Sequence, residues 1–372
     1  MKIVCDALDL TEALSKVIKA IPAKVTIGVN NEGVKITAAG DYVTLTANDM
    51  EMEITKTIKA SVMQDGEVLV PGKYLYEIVK RVESNSQVDI YSIEEDIIHI
   101  RHLDNEATLS KFRVEEYMPL DNGEASYDIS FALPQKDLKT LIDKTSFAAA
   151  TDDSRPVFKG CLFDIKGNKM SLVALDGYRM SLSEYELPAS LGDVKAIVPV
   201  KSLNEISRLL DGDDDKATVY IGSKRVAVDI GHTKVTANLI SGNFLDYSKT
   251  IPSSFETIVT VNNRQLLDSL ERATVLTKYD KSNIVKIEVK EGKMTINASS
   301  SIGEIRDVIK IFTKGKDISL ALNSRFIIDV LKNCDGEFIN ISFNSPTTPF
   351  ILEPVSEEDV NKYLYLLLPI RV

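Results

Sequence analysis

Apolar residues along this chain fall into two spacings, and the alternation between them recurs three times. The stretch Val70-Pro71-Gly72-Lys73-Tyr74-Leu75-Tyr76-Glu77-Ile78-Val79-Lys80 spaces its apolar residues as one face of a helix does. The same order of basic, apolar, acidic, apolar and basic positions returns from Val198 to Arg208 and from Leu322 to Lys332. A second helical segment keeps the period: Asp9-Leu10 with Leu14 and Lys16, Asp137-Leu138 with Ile142 and Lys144, Gln265-Leu266 with Leu270 and Arg272. Between and after these segments the pattern alternates residue by residue, as in GVKITAAGDYVTLTANDMEMEI and VDIYSIEEDIIHIRH, with Gly, Asn or Asp at the breaks. That is the pattern of strands joined by hairpins.

Three repeats of helix, strands, helix, strands predict an α+β fold, with two amphipathic helices laid on antiparallel sheets in each repeat. The segments YMPLDNGEAS and FLDYSKTIPSS carry the turn-forming residues expected at boundaries. They divide the chain into domains 1–123, 124–252 and 253–372. The tail YLYLLLPIRV is too apolar for a free end and reads as a packed strand.

Composition adds bounds. With 44% hydrophobic and 27% charged residues in 372, the balance is that of an ordinary globular protein. No apolar run reaches the roughly 18–20 residues of a membrane span, and the acidic N-terminal stretch is unlike a signal peptide, so a cytoplasmic location is expected. Cys5, Cys161 and Cys334 are far apart and read as reduced, buried thiols. Metal and enzyme readings find little support. His99 and His102 fall on opposite faces of one strand. The acidic run 211–215 has Lys216 and Gly222 where a calcium loop needs Gly and Glu. No P-loop, GxGxxG or GxSxG occurs, and neither a metal nor a cofactor is expected.

The net charge of −11 argues against general nucleic-acid binding, but its distribution tells another story. Lys73 and Lys80, Lys201 and Arg208, and Arg325 and Lys332 are each seven residues apart, close to two helical turns. Lys16, Lys144 and Arg272 repeat on the first helices, and Lys24 follows the first of them. For one helix this is an ordinary solvated face, with Glu77, Glu205 and Asp329 paired to the cation four residues before. For six helices in register it is a basic surface suited to sequence-independent contact with phosphates.

With these motifs in hand, the whole chain resembles the bacterial DNA polymerase III beta subunits, the replicative sliding clamps. The likeness rests on LTANDMEMEI (45–54), EVLVPGKYLYEIVKRV (67–82), DGYRMSL (176–182), AIVPVKSLNEISRLLDG (196–212), FLDY (244–247) and LLLPIRV (366–372). The resemblance implies a head-to-tail homodimer, a six-domain ring around duplex DNA. Its partners would be the replicative polymerase catalytic subunit, the clamp loader, and other clamp-binding polymerases and repair proteins. It implies a dimer junction of Phe112 and Val114 facing Val275 and Leu276. It also implies a peptide pocket of Arg155, Phe158, Leu175, Gly177, Tyr178, Arg179, Met180, Leu245, Lys249, Thr250, Thr347, Leu367, Leu368, Pro369, Ile370 and Arg371. Arg179 and Arg371 would hold peptide carbonyls or a carboxylate there. Leu175, Tyr178 and Leu245 depart from the family pattern and bear on which peptide is preferred. The segment from Phe112 to Pro119 is shorter than usual. In this reading Asp176-Gly177 is a tight turn, and Tyr178-Arg179 the wall and rim of the pocket. The rival reading is a repeat-built adaptor that binds peptides without encircling DNA.

Overall fold

The structure is a computed structural model that describes residues 1–22, 31–93, 96–120, 126–211, 215–279, 283–355 and 362–371. Lys24, the proposed boundary at Gly123 and residues 212–214 of the acidic run lie outside the described residues.

The described residues hold two α-helices in each repeat, as the periodicity predicts. They are α1 (Ala7–Val17), α2 (Gly72–Val79), α3 (Gln135–Ser146), α4 (Val200–Leu209), α5 (Asn263–Tyr279) and α6 (Ser324–Asn333). In α1 the buried residues Ala7, Leu10, Ala13, Leu14 and Val17 follow helical spacing and form one stripe. The helix starts where Asp6 Oδ1 accepts from the N–H groups of Leu8 and Asp9 at 2.9 and 3.2 Å. Asn323 caps α6 in the same way, accepting from Arg325 N–H at 3.0 Å.

By compactness the chain divides into two units, 1–139 with 201–239 and 140–200 with 240–372. In the first, the strands Ser61–Gln64, Lys2–Asp6, Gln87–Tyr91, Ile97–His102 and Asn105–Ser110 form a five-stranded sheet in that order. An eight-stranded sheet joins the first repeat to the second, because Met52–Lys59 pairs antiparallel with Thr233–Asn238. Helix α1 packs on Tyr42–Asn48 and Met52–Lys59, and Ile3, Leu10, Leu14, Leu45, Ile54 and Leu75 are fully buried.

In the second unit a nine-stranded sheet joins the second repeat to the third, because Arg179–Glu186 pairs antiparallel with Lys362–Leu367. A four-stranded sheet of Gly303–Lys310, Lys293–Ser300, Ile284–Lys290 and Ile318–Asn323 completes it. Leu266, Leu270, Ile287, Ile296, Ile327, Leu331, Phe343 and Phe350 share one core. The apolar tail is a strand, as expected: Tyr365 is fully buried and its hydroxyl donates to the Asn333 carbonyl at 3.2 Å.

Sheet continuity explains why three sequence repeats give two compact units. Each half of the central repeat is drawn into the sheet of the repeat beside it.

The cysteines are free and buried. Burial pushes the Cys5 and Cys334 thiols up to about 12 and Cys161 higher still, so the thiolate is disfavoured at all three. No described helix is long and apolar enough to cross a membrane, and no group of three His, Cys, Asp or Glu among the described residues is arranged to hold a metal.

Gly72, at the start of α2, has no room for a side chain. A Cβ there would stand 2.4 Å from Val34 Cγ2 and 2.8 Å from Ile21 Cδ1, inside the core. Gly72→Ala is expected to destabilise the first unit by about 1–3 kcal/mol through overpacking. Urea unfolding monitored in that unit checks it, and a neutral result would mean that Val34 has room to move.

Candidate peptide-binding and nucleic-acid-facing sites

The Asp176–Arg179 segment is a tight turn between two strands, with Leu175 opposite Met180 at its mouth. Asp176 Oδ1 accepts from the N–H groups of Tyr178 and Arg179 at 2.8 and 3.0 Å, while Gly177 takes a φ of +94° that a side chain would strain. The first repeat builds the same turn. Asp49 Oδ1 accepts from Glu51 and Met52 N–H at 3.1 and 2.8 Å, and Asn48 faces Glu53. The third repeat has a weaker version, with Ser300 Oγ accepting from Ile302 N–H at 3.3 Å.

Arg179 is locked in place. Its Nε donates to Asp176 Oδ2 at 3.0 Å, Nη1 to Asp329 Oδ2 at 2.6 Å and Nη2 to the Phe147 carbonyl at 2.9 Å. The guanidinium also lies 4.7 Å from the Phe326 ring centroid and 5.6 Å from that of Phe147, and its side chain is only 10% exposed. Arg179 was expected to hold a peptide, yet its three nitrogens are engaged within the protein. They tie the turn to α6 and to the end of α3. Tyr178 points outward, 64% exposed, and stacks on Phe326 at 6.2 Å.

Beside this turn lies a buried apolar cluster. Phe158, Leu175 and Met180 share a buried cluster with Leu162, Val173 and Leu366, and Phe244 and Tyr247 pack against it. Phe158 meets Phe244 edge-on at 5.7 Å, and the exposed Arg155 lies over Phe158 at 5.4 Å. Leu245 is exposed, Lys249 pairs with Asp246 at 2.7 Å, and Thr250 Oγ1 donates to the Tyr247 carbonyl at 2.6 Å. The tail follows the turn: Leu368 N–H donates to the Tyr178 carbonyl at 2.9 Å and Ile370 N–H to the Ala321 carbonyl at 2.7 Å. Leu367 is buried, Leu368 and Arg371 are exposed, and Pro369 is half-buried. Thr347 is exposed on a separate turn with Ser345. Phe147, Phe244, Tyr247, Phe326 and Asp329 were missed as members. Phe326 stands beside the repeat-matched Arg325, Asp329 is the repeat-matched acid of the same helix, and Phe244 and Tyr247 both lie in the quoted FLDY, so a signal existed for all but Phe147.

The first unit treats the corresponding face differently. Glu53, at the place of Met180, is buried and accepts from Leu120 N–H at 3.0 Å, while Asn48 Nδ2 donates to the Met118 carbonyl at 2.9 Å. The chain covers its own sheet there with residues 118–120.

The helix cations are mostly paired. Lys80 pairs with Glu77, Lys144 with Asp335, Lys201 with Asp49, Arg208 with Glu205, Arg272 with Asp307 and Lys332 with Glu271. Lys16, Lys73 and Arg325 make no ion pair among the described residues. The expected pairing of each acid to the cation four residues before it does not occur. Glu77 and Glu205 turn to the cation three residues after them, and Asp329 is taken by Arg179. Within a helix an acid nearer the N-terminus with a later base is the better-oriented pair. Of the nine described cations, Lys16 and Lys144 are half-buried and the other seven exposed. At the expected junction, Val275 is 68% exposed and Leu276 half-buried on α5. Phe112 bonds its N–H to the Leu69 carbonyl at 2.8 Å, and Val114 begins a short 3-10 turn, both half-buried.

Three repeats of one fold, with sheets shared between neighbouring repeats and cations at matching places on the helices, define a clamp-type protein. The profiles described as DNA polymerase III beta subunit, N-terminal, central and C-terminal domain match residues 1–121, 132–246 and 248–371. The chain belongs to the DNA polymerase III beta subunit family. It is 26% identical over 368 residues to the beta sliding clamps of Staphylococcus epidermidis and Staphylococcus aureus, covering 96% of both chains. The crystal structure of the DNA polymerase sliding clamp from Bacillus subtilis matches with a TM-score of 0.94 at 26% identity, over 100% of this chain and 99% of that one. That of the beta subunit from Streptococcus pyogenes gives 0.94 at 26%, over 100% of each.

Arg179→Ala is expected to destabilise the second unit by about 2–3 kcal/mol, because it strands the carboxylates of Asp176 and Asp329. Arg179→Lys should recover only part of this, since one ammonium cannot meet three acceptors in a fork. Urea unfolding of the three proteins checks both, and an unchanged midpoint for Arg179→Ala would show that the contacts carry no net stability.

Proposed function

We propose that the chain works as a DNA sliding clamp. Two copies close head to tail into a ring of six domains around duplex DNA, with domains at 1–123, 124–252 and 253–372. The ring holds DNA without reading its sequence. It tethers the replicative polymerase catalytic subunit, and the clamp loader and other clamp-binding polymerases and repair proteins use the same pocket. The chain has no catalytic role of its own and works in the cytoplasm.

The observation that carries this reading is the match of all three domains to the beta subunit family, together with the exposed Tyr178 and Leu245 beside the buried apolar cluster of Phe158, Leu175, Met180 and Leu366. Apolar side chains from separate strands suit Leu or Phe anchors of a linear peptide. Pairing of the helix cations supports a loose hold on phosphates. Each carboxylate beside a cation lowers the net charge that DNA meets, so topology supplies the grip and the lining stays weak. Val275 on α5 is an exposed apolar side chain suited to a junction with a second copy.

Light scattering after gel filtration tests the ring. A mass near twice the 41.2 kDa chain is expected, falling to one chain for Val275→Ala with Leu276→Ala. A wild-type monomer at micromolar concentration would favour the non-encircling adaptor. Met180→Lys is expected to weaken binding of a Leu-Phe-containing peptide by at least about tenfold, from the cost of seating a charge among apolar side chains. Its mass should stay that of the dimer. Fluorescence anisotropy with a labelled peptide reads this, and unchanged affinity would move the docking site away from Met180 and its cluster.

A further inference from the structure

The four-stranded sheet of the third repeat has one covered face and one open face. Helix α5 packs on the covered face, where Ile287, Val289, Met294 and Ile296 share a core with Leu266 and Leu270 of that helix. Alternate residues of the same strands point the other way. The strand register sets these in rows. One row reads Lys290, Lys293 and Lys310, each directly opposite the next. The row beside it reads Glu288, Thr295 and Val308.

Three ammonium groups in one row are a costly arrangement for the protein alone. Directly opposed side chains on antiparallel strands stand close, and like charges there destabilise a sheet. All three lysines are exposed. Lys293 and Lys310 make no ion pair among the described residues, and Lys290 has only Glu291 of its own hairpin turn, at 3.9 Å. Lysines often guard the open edge of a sheet, and Lys310 stands on such an edge. That role does not account for Lys290 and Lys293, whose strands each lie between two others. In a chain of net charge −11 this row is a local reversal of sign, of the kind that draws an anionic partner.

Apolar side chains flank the row. Val308 and Phe312 stand two residues to either side of Lys310 and are 52% and 74% exposed, while Ile309 and Ile311 between them are buried. The outward sequence through this stretch is therefore apolar, basic, apolar.

We propose that this open face docks an acidic, extended segment of a partner protein, with carboxylates on the row of Lys290, Lys293 and Lys310 and an apolar side chain against Val308 or Phe312. The site lies on a different sheet from Met180 and does not depend on closure of a ring. Neighbouring strands are roughly 4.8 Å apart, so the row presents its charge over about 10 Å. Alternate side chains of an extended peptide are about 7 Å apart, so two acidic residues fit that length. The row beside it favours a peptide over a nucleic-acid strand. Successive phosphates would meet the Glu288 carboxylate, and neither Thr295 nor Val308 gives a base a ring to stack on. A peptide meets the same row with an amide, a hydroxyl or an aliphatic side chain.

Fluorescence anisotropy with the full chain and a labelled peptide of Glu and Asp around one Leu tests the site. Binding is expected at low salt and should weaken as salt is raised. Lys293→Glu should weaken it by at least about tenfold, because it sets a carboxylate in the middle of the row. The same variant should bind a Leu-Phe-containing peptide as the wild type does, which separates this face from the cluster at Met180. Without any peptide, Lys293→Thr should raise the urea midpoint, since the row loses its central like charge. No binding by the wild type, equal binding by Lys293→Glu, or tighter binding of a single-stranded oligonucleotide of matched length and charge would overturn the proposal. Loss of the Leu-Phe peptide in Lys293→Glu would overturn it by merging the two sites. An unchanged or lower midpoint for Lys293→Thr would overturn it too, by removing the strain that a ligand relieves.

Discussion

Everything in this structure depends on what becomes of the open edges of its sheets. A strand at an edge presents a row of unpaired N–H and C=O groups that must find partners or be shielded. Inside the chain each repeat meets this demand by lending a strand to the repeat beside it. Met52–Lys59 joins Thr233–Asn238, and Arg179–Glu186 joins Lys362–Leu367. The apolar side chains that define the cores of the two units are arranged along these shared sheets. The turns that feed the shared strands also carry the features of functional interest, since Tyr178, Arg179 and Met180 stand where one repeat is handed on to the next.

Charge follows the same economy of position. The helices keep a cation at matching places in all three repeats, yet six of the nine described cations have a carboxylate close by. Those carboxylates come from different places: the same helix for Lys80 and Arg208, a strand for Arg272, a turn for Lys201. Exposed pairs of this kind add little to stability, roughly 0–1 kcal/mol each, so their effect lies in moderating the field outside the protein.

Much of the fold was legible because helical and alternating spacings are local, and a triple register is hard to mistake. Six helices, the hairpins between them and the packed tail all follow from residues close in sequence. Long-range partners were less legible. Nothing near Asp329 in the chain announces Arg179, which lies in another repeat, and Lys201 finds Asp49 across a sheet junction. The simplest local guess, pairing each acid with the cation four residues earlier, failed for that reason and because helix geometry favours the later cation. The surroundings of the Asp176–Arg179 turn were legible only in part. Met180, Phe244 and the tail lie in the quoted motifs, while Phe147 gains its place from packing alone.

The contrast between Met180 and Glu53 carries a last consequence. These residues hold the same place in two copies of one ancestral pattern, and one is buried among apolar neighbours while the other is a carboxylate sealed by residues 118–120. Of the two matching places, one keeps its apolar cluster and the other is closed by its own chain. If the proposed function holds, proteins that dock at the open place would share one handle per chain, and which of them holds it would follow their relative abundance and residence time.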